Sequence, residues 1–360
     1  MSLEDRLKAH IEAHGPLTIA QYMSWCLHDP QAGYYATRPK LGESGDFVTA
    51  PLVSQMFGEL LGLWAAEAWS RMGRPARVIL AEAGPGDGTL MSDALRAARL
   101  EPAFLAAADL YLIETSPVLM KAQAERLGVG PLAPRWVHAL SQLPTDAPLI
   151  LLANELLDCL PARQFVKTAK GWAERMVGLG LDGALAFGLA AQPVGDALTK
   201  ALPDAEPGAV LEVSAAQQAF AAELAARIVA QGGAALLIDY GRDGPGPGDT
   251  LQALKGHRKV SPLESPGEAD LTVHADFPAA ADAARAAGAH ASAILTQGKF
   301  LLRLGMGART QALIAARPDR AQTLQRQLAR LTAPDQMGSL FKVLAIHPRA
   351  EPPPGFEDGQ

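Results

Sequence analysis

A short run of glycines and acids is the strongest chemical signal in this sequence. It reads Glu82-Ala83-Gly84-Pro85-Gly86-Asp87-Gly88-Thr89. Glycines at alternate positions permit a tight turn and let a ligand approach the backbone, because no Cβ stands in the way. An apolar stretch precedes the run and a helical pattern follows it, so the loop should lie at the start of a helix. The run therefore predicts a ligand-binding turn.

The spacing within this loop indicates which ligand it holds. A dinucleotide fingerprint requires Gly-x-Gly-x-x-Gly, but here the third glycine comes one residue early and Thr89 takes the expected place. Asp87 would repel a pyrophosphate, whereas it suits a ligand that carries an ammonium and a sulfonium. The loop thus favours S-adenosylmethionine over NAD. The residues of the loop that we assign to donor binding are Glu82, Gly84, Pro85, Gly86, Asp87, Gly88 and Thr89.

An acid also ends the next apolar run. Glu114 follows Gly88 by 26 residues, where a carboxylate can accept hydrogen bonds from both hydroxyls of a ribose. Ser116 can cap the helix that follows, and we include it in the predicted donor site. The alternative is a structural glycine turn beside an exposed glutamate, with no ligand at all.

Asn154, Glu155 and Asp158 follow a third apolar run and define the predicted reaction centre. Glu155 and Asp158 are three residues apart, so on a helical turn they would share a face. Two carboxylates placed in this way could bind a guanidinium in bidentate fashion and orient its nitrogen towards a methyl group. Both are candidate catalytic residues, and Asn154 is assigned to the donor site. The alternative is that Asp158 only caps a turn before Pro161.

Two further polar segments are candidates for substrate contacts. The first is Asp239-Tyr240, which ends another apolar run. The second, residues 270–277, alternates polar with apolar side chains and predicts a single strand. A metal site on that strand is disfavoured, because no second histidine stands at ligand spacing. The predicted substrate-binding residues are Asp239, Tyr240, Asp270 and His274.

The segment Gly45-Asp46-Phe47-Val48-Thr49-Ala50-Pro51 places an acid and a hydroxyl on a loop. Site residues often lie on loops, and we assign Asp46 to donor binding. Taken alone, the segment is more typical of an ordinary turn.

The elements that must position these residues alternate between strands and helices. Apolar runs typical of buried strands lie at 77–82, 109–114, 148–153 and 233–240, and a helical pattern from 214 to 230 precedes the last of them. Strands that are apolar along their length imply a parallel sheet covered on both faces. Such open sheets bind ligands beyond the carboxyl ends of their strands. We expect an α/β protein with a Rossmann-like sheet.

Other segments depart from this alternation. Residues 165–189 contain short alternating segments that predict an antiparallel excursion, and a final strand is expected at 340–346. Residues 241–250 are rich in Gly, Pro and Asp and suit either a mobile lid or a solvated linker. We expect a helical N-terminal region over 1–75 and a core over 76–360, with insertions near 165–205 and 241–290.

Composition excludes several classes of protein. The 360 residues are 49% hydrophobic and carry a formal net charge of −6, so a large core can form but binding to nucleic acid has little electrostatic support. Two distant cysteines fit neither a disulfide framework nor a zinc knuckle, which indicates a reducing compartment. We find neither a signal peptide nor an apolar run of about 18 residues, and expect a cytoplasmic chain. A Gly-x-Ser-x-Gly hydrolase elbow is also missing from the sequence.

Seven blocks of sequence, in order, resemble the MidA-like methyltransferases. The resemblance covers most of the chain, and the departures at Ala83 and Ala275 leave the predicted cofactor site intact. The blocks are 45–51 with 54–59, the glycine loop through Met91, 153–158, 238–241, 250–253, 270–272 and 297–300.

This resemblance implies a class I methyltransferase sheet with extra elements. The family includes a mitochondrial assembly factor for respiratory complex I that methylates an arginine, so the resemblance also implies a protein arginine as acceptor, in a respiratory complex subunit. Two alternatives stay open. One is a binding module that uses the donor pocket to steady a partner without transferring a methyl group, and the other is a nicotinamide-dependent oxidoreductase, which Asp87 and the glycine spacing disfavour.

Overall fold

The computed structural model describes residues 1–37, 49–195, 202, 204–244, 246–349 and 351–357 of the chain. The N-terminal part is helical, as expected. Ser2 and Thr18 each begin a helix with a capping box, in which the hydroxyl accepts a hydrogen bond from the N–H three residues later. The elements here are α1 (Leu3–His14), β1 (Leu17–Thr18), α2 (Ile19–His28), α3 (Tyr34–Thr37), α4 (Ala50–Val53) and α5 (Gln55–Arg71).

Strands and helices alternate in the next part of the chain. The strands expected at 77–82, 109–114 and 148–153 are present, each displaced by one residue. Ser116 caps the helix after the second strand, because its hydroxyl accepts a hydrogen bond from the N–H of Leu119 at 3.4 Å. The elements are β2 (Val78–Ala83), α6 (Thr89–Ala98), α7 (Pro102–Ala107), β3 (Ala108–Ile113), α8 (Pro117–Leu127), β4 (Arg135–Val137) and β5 (Leu149–Asn154).

An antiparallel sheet then interrupts the alternation, which confirms the excursion expected at 165–189. It is formed by β6 (Arg163–Thr168), β7 (Gly171–Leu179), β8 (Leu185–Leu189) and β9 (Val210–Val213). Strand β7 pairs with β6, β8 and the short β1, and β6 pairs with β9. Every one of these pairings is antiparallel.

The chain returns to the main sheet in its last part. The helix expected at 214–230 and the strands expected at 233–240 and 340–346 are confirmed. The elements are α9 (Ala215–Gln231), β10 (Gly233–Arg242), β11 (Gln252–Lys255), β12 (Arg258–Val260), β13 (Asp270–Thr272), β14 (Ala275–Asp276), α10 (Phe277–Ala286), β15 (His290–Ala291), β16 (Leu295–Thr296), α11 (Gln297–Arg303), α12 (Met306–Ala316), α13 (Ala321–Thr332), α14 (Met337–Leu340) and β17 (Phe341–His347).

The central sheet has the strand order β15-β17-β10-β5-β2-β3-β4. Strands β10, β5, β2, β3 and β4 are parallel, and β17 is antiparallel to β10. Alternate residues of each strand point to opposite faces, so Leu80 packs under α5 and α6 while Ile79 packs under α9 and α10. Both faces are therefore covered, as continuously apolar strands require, and the expected Rossmann-like α/β sheet is confirmed.

The prediction of a single strand over residues 270–277 is wrong. Strand β13 belongs to a separate antiparallel sheet with β11 and β12, whereas β14 pairs in parallel with the end of β10. Gly241 permits the second pairing, because a Cβ there would lie 2.2 Å from the carbonyl oxygen of Ala275. Asp270 and His274 therefore do not share one strand face.

The N-terminal helices divide between two cores. Helix α5 packs on α6 and contributes Phe57 and Trp64 to the core under the central sheet. Helices α1 and α2 pack instead with β7 and with the small sheet that contains β11 and β13. The boundary at residue 75 stays a prediction. None of the helices in the described part of the chain is long and apolar enough to cross a bilayer.

Segment 241–250 is attached to the antiparallel sheet. The N–H of Gly248 donates to the carbonyl oxygen of Val210 at 2.7 Å. Thr250 donates from its N–H and its hydroxyl to the two carboxylate oxygens of Glu212, at 3.0 and 2.5 Å. These contacts hold the end of the segment against β9.

Candidate active site

The candidate site lies where the order of strands in the central sheet reverses. From β2 the chain continues outwards to β3 and β4, and from β5 it continues to β10 on the other side. A reversal of this kind opens a crevice above the carboxyl ends of the two central strands. The glycine loop follows β2, and Asn154 ends β5. A Cβ on Gly84 would lie 3.0 Å from Cδ1 of Leu156, so the two segments are in contact there.

The glycine loop has the backbone that its sequence predicts. Gly84, Gly86 and Gly88 have φ values of 67°, 54° and 82°, a left-handed conformation that glycine adopts without strain. Asp87 accepts hydrogen bonds at Oδ1 from the N–H and the hydroxyl of Thr89, at 3.0 and 2.6 Å. Its Oδ2 lies 2.8 Å from Nη2 of Arg126. The structure thus uses Asp87 and Thr89 to brace the loop, which leaves the charge of Asp87 already paired.

Glu82, near the carboxyl end of β2, has a buried carboxylate oxygen without a hydrogen-bond donor in the described structure. It is 2% exposed, and its Oε2 has no hydrogen-bond partner within the described residues. Burial, with smaller contributions from Asp87 and Glu114, raises the pKa of Glu82 to about 8. A buried acceptor without a donor destabilises a protein unless a ligand supplies the donor. Glu82 is therefore suited to receive a cationic group.

Glu114 is held by the backbone that follows it. Its Oε1 accepts hydrogen bonds from the N–H groups of Thr115 and Ser116, both at 2.8 Å. Its Oε2 accepts one from Nε2 of Gln123 at 3.1 Å, and the same nitrogen donates to the carbonyl oxygen of Gly86 at 2.7 Å. Burial raises the pKa of Glu114. Gln123 thus joins Glu114 to the glycine loop, whereas the Ser116 side chain serves as a helix cap.

Glu155 has a left-handed backbone conformation, which is maintained by its hydrogen bonds to neighbouring segments. Its φ is 55°, which a residue with a Cβ rarely adopts, and its N–H donates to the carbonyl oxygen of Ile238 at 2.8 Å. Its Oε1 accepts hydrogen bonds from Nδ2 of Asn154 at 2.9 Å and from the N–H of Ala50 at 3.2 Å. Burial, and next the nearby Asp158, raise the pKa of Glu155 to about 8.

The prediction of a helical turn that aligns Glu155 with Asp158 is wrong. Residues 155–160 form an irregular segment, because the left-handed Glu155 breaks any helical path. Asp239 holds this segment in place: its Oδ2 accepts from the N–H groups of Leu157 and Asp158, at 2.8 and 3.1 Å. The two acids are still neighbours, through tertiary contacts instead of helical spacing.

Asp239 and Tyr240 have different roles, although we predicted substrate contacts for both. Asp239 is 0% exposed, and its Oδ1 accepts a third backbone hydrogen bond, from Tyr240 at 2.8 Å. These hydrogen bonds hold residues 157–158 against the end of β10, and the substrate contact predicted for Asp239 stays a prediction. The hydroxyl of Tyr240 donates to Oδ2 of Asp158, while Oδ1 of Asp158 is buried without a partner in the described structure. Burial raises the pKa of Asp158 to about 6, although the Tyr240 hydrogen bond opposes this shift.

Asp270 lies on β13, and His274 lies in the connection between β13 and β14. The hydroxyl of Tyr35 donates to Oδ1 of Asp270 at 2.8 Å. The His274 ring packs edge-on against the Tyr240 ring, with 5.6 Å between the centroids. Burial lowers the pKa of His274, and the nearby Lys259 adds to this effect. Asp46 lies outside the described residues.

The structure groups the predicted residues into one set around β2 and β3 and another around β5 and β10. We name them, after their predicted roles, the donor half and the acceptor half. Sequence reasoning missed Gln123, Tyr35 and Ala50. Gln123 lies on a helix and resembles a surface residue by type, and nothing in the local pattern marks it as fully buried. Within the described residues, we find no cluster of His, Cys, Asp and Glu that could hold a metal ion.

Comparison with known proteins identifies relatives across almost the whole chain. The chain is 35% identical to the Drosophila melanogaster protein named protein arginine methyltransferase NDUFAF7 homolog, mitochondrial, over 96% of this chain and 85% of the fly protein. It is 34% identical to the Homo sapiens protein named protein arginine methyltransferase NDUFAF7, mitochondrial, over 94% of this chain and 81% of the human protein.

A solved structure shares the fold. It is a Burkholderia thailandensis protein bound to S-adenosyl-homocysteine, with a TM-score of 0.87, 30% identity, and coverage of 99% of this chain and 95% of that one. A family model of S-adenosyl-L-methionine-dependent methyltransferases matches residues 60–295. These findings confirm the MidA-like resemblance and remove the nicotinamide alternative. With its parallel sheet, its glycine loop and relatives along almost its whole length, this chain belongs to the S-adenosyl-L-methionine-dependent methyltransferase family.

Proposed function

We propose that this methyltransferase modifies a guanidinium nitrogen of an arginine in a protein acceptor. The observation that carries the proposal is the pair Glu155 and Asp158, two neighbouring acids at the carboxyl end of β5. Burial raises the pKa of Glu155 to about 8, with a further contribution from the nearby Asp158, and burial raises the pKa of Asp158 to about 6. Among the described residues, neither acid has an ion pair with a basic side chain.

A guanidinium can supply hydrogen-bond donors to buried oxygens of the acceptor half that have none. Oδ1 of Asp158 and Oδ1 of Asn154 are buried acceptors that have no donor in the described structure. Leaving such an acceptor unpaired costs about 1–3 kcal/mol. A guanidinium offers five N–H donors in a planar fork, together with a positive charge that favours the ionised form of both acids.

The donor half fits a ligand with an ammonium, a sulfonium and a ribose. We propose that Glu82 accepts the ammonium, that the glycine loop lies against the methionine part, and that Glu114 accepts the ribose hydroxyls. Asn154, at the boundary between the halves, is proposed to contact the donor. When bound, S-adenosylmethionine supplies an electrophilic methyl group on sulfur.

The acceptor half has two tasks in this proposal. Glu155 and Asp158 hold the guanidinium in line with the methyl group, since alignment can supply several kcal/mol of the barrier reduction, about 7–11 kcal/mol in the best intramolecular systems. As the nitrogen–carbon bond forms and the carbon–sulfur bond breaks, the guanidinium nitrogen must lose a proton. Glu155, once ionised by the bound cation, is the neighbouring carboxylate that can accept it.

The relatives support a protein acceptor, because both carry names that describe protein arginine methyltransferases. The MidA-like resemblance supports a respiratory complex subunit as that acceptor. For the compartment we propose the cytoplasm, with a mitochondrial location, as in the relatives' names, as the alternative. Cys26 and Cys159 are both buried free thiols, which fits a reducing compartment in either case.

The test compares Glu155→Gln with the exposed Glu223→Gln on α9. Peptides with a central arginine, and the same peptides with lysine, are incubated with donor and analysed by mass spectrometry, while titration calorimetry measures binding of S-adenosylhomocysteine. We expect the wild-type chain and Glu223→Gln to methylate arginine peptides, and Glu155→Gln to lose this activity while it still binds S-adenosylhomocysteine. Full activity in Glu155→Gln, or methylation of lysine peptides only, contradicts the proposal. Binding by the wild type without any transfer favours the non-catalytic alternative.

A further inference from the structure

We propose that a basic cleft beside the reaction centre binds an acidic side chain of the acceptor, close in sequence to the arginine that is methylated. The inference rests on the proposed function and adds a sequence preference to it. The cleft has a volume of about 360 Å³ and lies between segment 249–252 and the strand β12. Lys259, His274 and Asp249 are among the residues that line it, and Asp249 forms an ion pair with Arg175.

The cleft is linked to the acceptor half through the side chains of His274 and Tyr240. His274 lines both this cleft and a second, smaller one on its other side. Its ring contacts the ring of Tyr240, with 5.6 Å between centroids, and the hydroxyl of Tyr240 binds Asp158. An extended peptide advances about 3.3 Å per residue, so the side chain proposed to reach this cleft belongs to a residue close in sequence to the arginine.

Lys259 is the free charge of the cleft. The other charged residues nearby are already paired: Asp249 lies 2.9 Å from Nη1 of Arg175, and Arg242 forms an ion pair with Asp276. Across the described residues, Lys259 has no ion-pair partner. An incoming carboxylate would therefore find one uncompensated positive charge.

The charges of the cleft and of the reaction centre have opposite signs. In the reaction centre, Glu155, Asp158 and Asp239 have no ion pair with any cation among the described residues. Lys259, by contrast, is close enough to help lower the pKa of His274. A ligand complementary to both has a cation beside an anion, which in a peptide is an arginine next to a glutamate or aspartate. Complementary charge of this kind sets register and selects partners.

The strand β12 supplies a matched control. Successive residues of a strand point to opposite faces, so Arg258 faces away from the side on which Lys259 lies. The register agrees, because Lys259 pairs with Leu254 and Arg258 with Lys255. Both side chains are exposed. Arg258→Glu therefore makes the same change in net charge as Lys259→Glu, on the other face of the hairpin.

The experiment uses four peptides: an arginine-centred pair with glutamate or glutamine beside the central residue, and the same pair centred on lysine. Fluorescence anisotropy measures their binding to the full chain loaded with S-adenosylhomocysteine, and mass spectrometry measures kcat/KM with the donor. For the arginine pair, we expect wild type to favour the glutamate peptide by roughly two- to fivefold at low salt, the range that exposed ion pairs allow. Lys259→Glu should abolish this preference, and Lys259→Arg and Arg258→Glu should keep it.

The outcomes separate this inference from the proposed function. Equal binding of the two arginine peptides by wild type overturns the proposal that the cleft binds an acidic side chain. An equal loss of preference in Lys259→Glu and Arg258→Glu overturns it as well. A glutamate preference that persists on the lysine-centred pair, without methylation of arginine, overturns the arginine acceptor but supports the cleft. If no peptide binds, both proposals are overturned.

Discussion

Nε2 of Gln123 lies 3.1 Å from Oε2 of Glu114 and so connects the end of β3 to the glycine loop after β2. The same nitrogen donates to the carbonyl oxygen of Gly86, and Oε1 of Gln123 accepts from the indole N–H of Trp136 at 2.8 Å. One fully buried amide therefore fixes the acid proposed for the ribose relative to the loop proposed for the methionine part. In sequence, Glu114 is 9 residues and Gly86 is 37 residues away from Gln123.

Replacement of Gln123 should weaken donor binding. Gln123→Met keeps the volume but removes both hydrogen bonds from Nε2, so Glu114 and the loop lose their link, and we expect roughly tenfold weaker binding of S-adenosylhomocysteine. Titration calorimetry measures the affinity, and thermal denaturation shows whether the variant folds. Gln322→Met, the same change at an exposed position of α13, should bind as wild type does. An unchanged affinity in a folded Gln123→Met would show that the link is unimportant.

Substitution in the glycine loop should remove donor binding altogether. Gly86 has a φ of 54°, so valine at this position is strained and also places a branched side chain where the ligand is proposed to approach. Calorimetric titration of Gly86→Val with S-adenosylhomocysteine should give no saturable heat. Gly183→Val is the control, since Gly183 has a φ of 74° in an open turn far from the crevice. If both variants bind normally, the loop does not hold the donor.

Replacement of Glu82 should stabilise the ligand-free protein at high pH. The pKa of Glu82 in the folded chain is about 8, above its ordinary value of 4.5, so its contribution to stability falls as pH rises between these values. Glu82→Gln removes the buried charge, and we expect a melting temperature at pH 9 higher by about 2 °C or more, with little change at pH 5. The exposed Glu125→Gln should show no such gain.

The same Glu82 variant should bind the donor less well. Glu82 is proposed to pair with the ammonium of the methionine part, and hydrogen bonds to charged groups contribute about 1.5–3 kcal/mol. We therefore expect roughly tenfold weaker binding of S-adenosylhomocysteine, measured by calorimetry at pH 9. A variant that is more stable but binds equally well would place the ammonium elsewhere.

Loss of the Tyr240 hydroxyl should change the pH dependence of methylation. This hydroxyl donates to Asp158 and opposes the rise of its pKa, so Tyr240→Phe should raise that pKa above about 6. Because the ionised acid is needed to bind the guanidinium, the acidic limb of kcat/KM should move to higher pH, with roughly tenfold lower activity at pH 6. Tyr111→Phe removes a hydroxyl that contacts Arg135 instead, and should leave the profile unchanged. An unshifted profile in Tyr240→Phe would show that Asp158 does not depend on Tyr240.

The sequence was most informative where local rules decide the structure. The runs at 77–82, 109–114 and 148–153 became strands because continuous apolar residues require burial on both faces. The three glycines of the loop have left-handed backbones, a conformation that glycine adopts without strain because it has no Cβ. Ser116 caps α8 as its type and position predict.

Local rules failed where two distant segments meet. The alternation at 270–277 predicts one strand, but Gly241 offers β14 a closer partner in the central sheet, so the chain changes sheets after β13. The spacing of Glu155 and Asp158 predicts a shared helical face. Instead, the segment is held in another shape by hydrogen bonds that its N–H groups donate to the carbonyl oxygen of Ile238 and the carboxylate of Asp239.

The sequence by itself thus determined the type of sheet, the glycine turn and the positions at which acids follow the strands, because these depend on residue type and short spacing. The tertiary structure decided which acids are free to bind a ligand. Asp87 is paired with Arg126 and Asp239 with backbone N–H groups, whereas Glu82 and Asp158 each retain a buried oxygen without a partner in the described structure. That difference depends on burial and on contacts between distant segments, which residue type and short spacing do not determine.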